Sequence, residues 1–241
     1  MRGSPVGSSR VALAAGAAVA LLAVAATSAW AATTVEFKQG GGRFGGFSGV
    51  AVEGDKGVNL IKIGFDVDAN EYLIRDRASR MVGDACERLS RHALRCEAAF
   101  DGGLRVRGND GDDVLTLRRN MRRAGSLVGG DGRDSLRGGA RGDSLDGGGG
   151  GDLLSGRNGD DSIDGLGGGD VMRGGAGDDL LGALDELGRD TFLGGGGHDN
   201  ISAVNRDADR RIDCGTGPDV AFVDPEDPRA KRCEEVNTIR L

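Results

Sequence analysis

The sequence predicts an all-β solenoid in which short parallel strands stack into a thin two-sheet core. A strict period is the first observation. Cut every nine residues from Gly129, the chain reads GGDGRDSLR, GGARGDSLD, GGGGGDLLS, GRNGDDSID, GLGGGDVMR and GGAGDDLLG, skips Ala183 and Leu184, then resumes as DELGRDTFL and GGGGHDNIS, ending at Ser202. The second observation is that position six is always aspartate: Asp134, Asp143, Asp152, Asp161, Asp170, Asp179, Asp190 and Asp199. The third is that position eight is always apolar: Leu136, Leu145, Leu154, Ile163, Met172, Leu181, Phe192 and Ile201. Drift in a low-complexity segment would not hold two columns in phase.

Each unit reads as a six-residue glycine-rich turn followed by a three-residue strand. Glycine is needed wherever the backbone takes positive φ or another strand comes close. Strand side chains alternate, so residues seven and nine face one side and the apolar residue eight faces the other, inward. Two facing units then make one coil, and neighbouring strands stack about 4.8 Å apart.

These units resemble the RTX, or haemolysin-type calcium-binding, repeat, with consensus G-G-x-G-x-D-x-U-x, where U is a large aliphatic residue. The resemblance implies a right-handed parallel β-roll or β-helix solenoid. Arg141 departs from it at position four, with Gly142 one place late; Asp185 replaces a first glycine, and Arg157, Leu166 and Glu186 replace second glycines. Looser turns are expected there.

The aspartates divide into two files, Asp134, Asp152, Asp170 and Asp190 along one edge and Asp143, Asp161, Asp179 and Asp199 along the other. Like charges one coil apart disfavour ionisation, so a cation is expected. Calcium fits, because it accepts carboxylate and carbonyl oxygens in flexible geometry. The resemblance implies ions bridged by Asp134/Asp152, Asp152/Asp170, Asp143/Asp161 and Asp161/Asp179; between the partners of Asp170/Asp190 and Asp179/Asp199 the two-residue insert intervenes. Residues 129–202 carry 15 acidic and six basic side chains. Gly108–Thr116, GNDGDDVLT, forms a further unit with Asp113 at position six, whereas GSLV before Gly129 has glycine, Gly125, where aspartate belongs.

Residues 1–31 read as a signal peptide: Arg2 and Arg10 precede an apolar run from Val11 to Ala26, and Ala29-Trp30-Ala31 supplies a small-x-small cleavage pattern. Its removal takes two arginines from a net charge of -7, leaving -9. That balance disfavours nucleic acid, and the apolar run is too short for membrane insertion. Four cysteines in an exported chain suggest two disulfides and permit three connectivities. Local pairing, Cys86 with Cys96 and Cys214 with Cys233, is expected; a metal site lacks a CxxC spacing.

The expected organisation is therefore a β-rich lead-in over 32–107, the calcium-binding roll over 108–202 and a disulfide-clamped cap over 203–241. Within the lead-in, QGGGRFGGFSG (39–49) reads as a loop. DVDANEYLIRD from Asp66 reads as a polar hairpin, because Glu71 and Arg77 stand where an EF-hand needs glycine and glutamate. In the cap, Asp219 has a setting similar to that of the repeats.

Arg141-Gly142-Asp143-Ser144 has the form of a cell-attachment tetrapeptide, yet the repeat itself demands Gly142 and Asp143. Neither HExxH nor GxSxG occurs in the sequence, so the expectation is an exported, non-enzymatic protein that binds calcium ions and folds on them. The alternatives are a cell-surface adhesin or a calcium-dependent module serving a secreted hydrolase partner. The sequence identifies no protein or glycan partner.

Overall fold

One large apolar residue per nine is too little for a helix or a thick globule, but it suffices for a narrow coil whose layers cover one another. In a computed structural model the chain is all-β. The structure describes residues 32–38, 49–66, 71–78, 80–82, 86–97, 103–121, 123–182 and 188–240. The expected signal peptide, most of the 39–49 loop and the insert with Asp185 and Glu186 lie outside these residues.

The lead-in comprises β1 (Ala32–Lys38), β2 (Gly49–Glu53), β3 (Leu60–Asp66), β4 (Glu71–Asp76), β5 (Arg80–Val82), β6 (Glu87–Ser90) and β7 (Ala93–Glu97). The coils begin with β8 (Gly103–Asp110), β9 (Val114–Leu117), β10 (Gly125–Asp131), β11 (Ser135–Arg137), β12 (Ser144–Gly149) and β13 (Leu153–Asn158). They continue with β14 (Ser162–Gly167), β15 (Val171–Ala176), β16 (Leu180–Gly182), β17 (Thr191–Gly196), β18 (Asn200–Ala203) and β19 (Arg211–Thr216). β20 (Val220–Val223) and β21 (Glu235–Thr238) close the chain.

From β8 to β20 the strands alternate between two sheets, even-numbered in one and odd-numbered in the other, successive strands of each sheet pairing in parallel, and β21 adds to the even-numbered sheet beside β20. This is the predicted parallel solenoid. It starts earlier than its sequence signature, because β2 pairs in parallel with β8 and β3 with β9. The remaining lead-in strands extend both sheets: β1 and β5 continue from β2, and β4, β7 and β6 form an antiparallel meander beside β3. β3 and β4 pair antiparallel with Asp66 opposite Glu71, as the expected hairpin requires, and the four residues between them lie outside the described residues.

All eight position-eight residues are 2 % exposed or less, and they join the lead-in's Ile61, Ile63, Ile74 and Leu94 in one continuous core. Two expectations need correction. The strands are longer than three residues: β12 to β15 and β17 each run six, from position seven into position three of the next unit. Half of the presumed turn is therefore strand, because the ladder continues through the glycines, as in Gly148 opposite Leu166.

The turns at Arg157 and Leu166 are also not looser. Both residues keep the backbone that glycine takes at that place, with φ of 84° and 59°. Stacking forces the shared conformation, at a cost of about 1–3 kcal/mol for each non-glycine residue.

Both expected disulfides are present, Cys86–Cys96 and Cys214–Cys233. The second ties β19 to the segment around Lys231, which adds a short parallel bridge to Asp213. The Asp213 carboxylate accepts Arg232 Nε at 2.6 Å and Arg211 Nη2 at 2.5 Å. The last coil is thus pinned covalently and ionically. Among the described residues no helix is long and apolar enough to cross a membrane.

Candidate metal centre

Position six is two residues before the inward apolar residue, so strand alternation turns its side chain inward as well. The aspartates accordingly do not project from the rims. Asp113, Asp134, Asp143, Asp152, Asp161, Asp170, Asp179, Asp190 and Asp199 are all 3 % exposed or less, lying at the two ends of the apolar core. Asp143 is therefore not displayed as the carboxylate of a cell-attachment tetrapeptide.

Within each file the carboxylates are linked through the backbone. The Oδ1 of each aspartate accepts the main-chain N–H of the aspartate one coil earlier. On the first edge, Asp113 donates to Asp134 (2.7 Å), Asp134 to Asp152 (2.8 Å), Asp152 to Asp170 (2.7 Å) and Asp170 to Asp190 (2.7 Å). On the second, Asp143 donates to Asp161 (2.7 Å), Asp161 to Asp179 (2.9 Å) and Asp179 to Asp199 (3.0 Å). The two-residue insert leaves both files linked. Asp113 heads the first file, and Gly125 stands opposite Asp143 at the start of the second, donating to its Oδ1 at 2.6 Å.

Sequence reasoning missed Asp209, Asp227 and Glu234, whereas Asp219, whose setting resembles the repeats in the sequence, has the same backbone link. Asp190 donates to Asp209, and Asp209 to Asp227, on the first edge. On the second, Asp199 donates to Asp219, whose own N–H reaches Glu234 Oε2 at 2.8 Å. Asp209 escaped notice because Arg210 is interposed, which puts it three residues before the inward Ile212 instead of two. The signal was an aspartate column with one residue of slack.

The other oxygen of these carboxylates is the chemically informative one. Among the described residues, Oδ2 of Asp113, Asp134, Asp152, Asp161, Asp179, Asp199, Asp209 and Asp219 is buried and accepts no hydrogen bond. A buried acceptor left so costs about 1–3 kcal/mol, and more when charged. Each such oxygen of the regular repeats faces the first glycine of its own unit. A Cβ placed on Gly147 would stand 2.5 Å from Asp152 Oδ2 and 2.7 Å from the carbonyl oxygen of Gly165 in the next coil. Position one is thus glycine to keep open a cradle between a carboxylate oxygen and a carbonyl oxygen.

Electrostatics sharpen the picture. The Asp161 and Asp179 carboxyls are pushed up to about 7, those of Asp113, Asp134 and Asp199 to about 6, and that of Asp209 to about 8. In every case burial is the largest cause, the backbone hydrogen bond pulls the other way, and neighbouring aspartates add a smaller push. Repulsion between neighbours is therefore secondary to dehydration. A hard cation relieves both, and an oxygen-only cradle of carboxylates and carbonyls suits calcium. Among the described residues no three acidic, histidine or cysteine side chains converge, so backbone carbonyls would have to supply much of any coordination shell.

The regular pattern breaks at Asp143. Its Oδ2 accepts Gly139 N–H at 2.6 Å, so both oxygens hold amides. It breaks again at Asp190, where Asn205 Nδ2 approaches Oδ2 at 3.4 Å.

Neither a curated protein nor a solved structure matches the chain. The family described as the RTX calcium-binding nonapeptide repeat (4 copies) does match, over residues 128–161, 146–181 and 186–203. Those stretches hold the regular cradles, and the strands within them pair in parallel across successive coils. Repeat and winding agree, and together they fit an RTX-type repeat protein.

Proposed function

We propose that this is an exported, non-enzymatic protein whose repeat array folds on binding calcium between its coils. The observation that carries the reading is the row of buried Oδ2 atoms: in the regular repeats each faces the first glycine of its unit, and at Asp113, Asp134, Asp152, Asp179 and Asp199 a carbonyl of the next coil faces the same place. Asp113, Asp134, Asp152, Asp161, Asp179 and Asp199 would hold the ions, with Asp170 and Asp190 continuing the first file. The steps Asp134/Asp152, Asp152/Asp170 and Asp161/Asp179 follow the regular pattern. Asp209 and Asp219 extend the two files into the cap.

Calcium supplies positive charge where dehydration otherwise opposes ionisation. The protein supplies the rest: amides that aim each Oδ1, glycines that keep the cradle open, and apolar residues that exclude water. Export is supported by the 1–31 signal pattern and by two disulfides, which persist in oxidising compartments. The repeat is a structural motif, and it supports no catalytic role.

The test is far-UV circular dichroism of the full chain during calcium titration, with chelator reversal and magnesium as control. A cooperative gain of β signal with calcium alone is expected. A flat response, or an equal one with magnesium, overturns the reading.

A further inference from the structure

At three places along the two edges a side-chain nitrogen donates to backbone carbonyls, and at two of them to an aspartate as well. At the head of the first edge, Asn59 Nδ2 donates to Asp113 Oδ1 and to the carbonyl of Gly108, the first residue of its unit. At the insert, Asn205 Nδ2 lies near Asp190 Oδ2 and the Gly188 carbonyl. The third place carries a full charge. Arg157 Nη1 donates to the carbonyl of Gly138 at 2.8 Å and to that of Leu117 at 2.9 Å. These two residues follow Arg137 and Thr116, which are partners in adjacent strands, so their carbonyls stack one coil apart.

This is the first step of the second edge, where the coil before Asp143 has Gly125 instead of an aspartate. A step with one carboxylate is a poor place for a divalent ion, yet its stacked carbonyls still need a donor. Arg157 provides one. It is the second residue of its unit, where regular repeats have glycine, and it retains the glycine backbone with φ of 84°. The side chain gives that strained position a purpose, since from there it reaches back across two coils.

We infer that the Arg157 guanidinium is a built-in cation replacing calcium at the first step of the second edge, and that Asp143 belongs to this metal-free step. Asp143 fits that role: its two oxygens are filled by the amides of Gly125 and Gly139, whereas Asp161 and Asp179 each keep one oxygen without a hydrogen bond. The second edge therefore begins with an internal charge and takes up ions only from Asp161 onward. The inference rests on the calcium-binding reading above and adds which step is exempt from it.

Native mass spectrometry of the calcium-saturated full chain counts the ions. Asp143→Asn is expected to bind as many as the unsubstituted protein, and Asp161→Asn at least one fewer. Arg157→Met keeps an unbranched apolar stem but removes the donors; exchange of the Gly125 and Gly139 amides is expected to accelerate about tenfold or more, the size of one charge-assisted hydrogen bond. If the unsubstituted chain binds no calcium, the functional reading and this inference fall together. If it binds calcium but Asp143→Asn loses an ion, or Arg157→Met leaves amide exchange unchanged, only the built-in cation is overturned.

Discussion

The lead-in and the repeat array extend the same two sheets and share one core, yet they are held together differently. In β3, β4 and β7 the inward positions are filled by Ile61, Ile63, Phe65, Tyr72, Ile74 and Leu94, with Phe65 and Tyr72 packed edge to face at 5.4 Å and Cys86–Cys96 closing the meander. In the array the inward positions cycle through aspartate, one large apolar residue and glycine. Burying a large apolar side chain yields about 1.5–3 kcal/mol, whereas glycine contributes almost nothing and costs the most backbone entropy. The lead-in thus has hydrophobic stability of its own. The array spends one inward position in three on a carboxylate that must lose its water. The same architecture can be stabilised from inside by side chains or from its edges by ions.

The largest expected effect separates the two regions outright. With calcium chelated, backbone amides of β12 to β15 are expected to exchange freely while those of β3, β4 and β7 stay protected, as read by hydrogen exchange. Uniform protection with and without calcium would erase the distinction. At millimolar calcium and a dissociation constant near 10⁻⁴ M, each ion adds about 1.4 kcal/mol, so several ions decide whether the array is folded. Replacing Asp152 or Asp161 with alanine is expected to weaken calcium affinity and flatten the titration, since each removes a carboxylate that neighbouring coils share.

Acidity provides the next test, with opposite signs in the two metal states. The Asp161 and Asp179 carboxyls lie at about 7 in the folded array against 3.8 unperturbed. Folding without metal therefore takes up protons. This stabilisation is complete below about pH 4 and is lost as pH rises through about 7. Calcium needs the ionised form, so the calcium-saturated array is expected to gain stability over the same interval. Melting temperatures measured from pH 4 to 8 with chelator and with calcium should diverge; parallel curves would mean that these carboxylates do not meet the ion.

Reduction acts on the other region. The Cys86–Cys96 loop has a separation of 10 residues, and opening a loop of that size costs about 3 kcal/mol in the chain-entropy account. Cys86→Ala with Cys96→Ala is expected to lower the melting of the lead-in by that order while leaving the number of bound calcium ions unchanged.

Much of this organisation was legible in the sequence because the repeat is strict where the chemistry is strict. The aspartate column, the inward apolar column and the glycine of position one answer to single atoms: Oδ1 on an amide, a side chain in the core, a cradle without Cβ. Legibility failed where the backbone absorbs slack. The spare Arg210 hides Asp209, and the longer side chain of Glu234 lets it stand 15 residues after Asp219 and still take its amide. The parallel rungs β2 and β3 carry no nonapeptide, since strands filled by large apolar residues need no carboxylate cradle. Strand length misled because glycine suggests a turn, although in-register stacking keeps it extended. Arg157 read as a defect of the consensus until its side chain was seen on the Gly138 and Leu117 carbonyls.

Leu166 offers the smallest effect and the cleanest contrast with Arg157. It too sits at position two with positive φ, at 59°, but its apolar side chain can donate no hydrogen bond to a carbonyl. A bulky residue in that backbone region is strained by about 1–3 kcal/mol. Glycine removes the strain but widens the unfolded ensemble, which takes back about 0.5–1 kcal/mol. Leu166→Gly is thus expected to raise the melting temperature of the calcium-bound array slightly. Arg157→Gly, relieved of the same strain, is expected to lower it because the donor is lost. Shifts of the same sign in both variants would show that backbone strain alone governs position two.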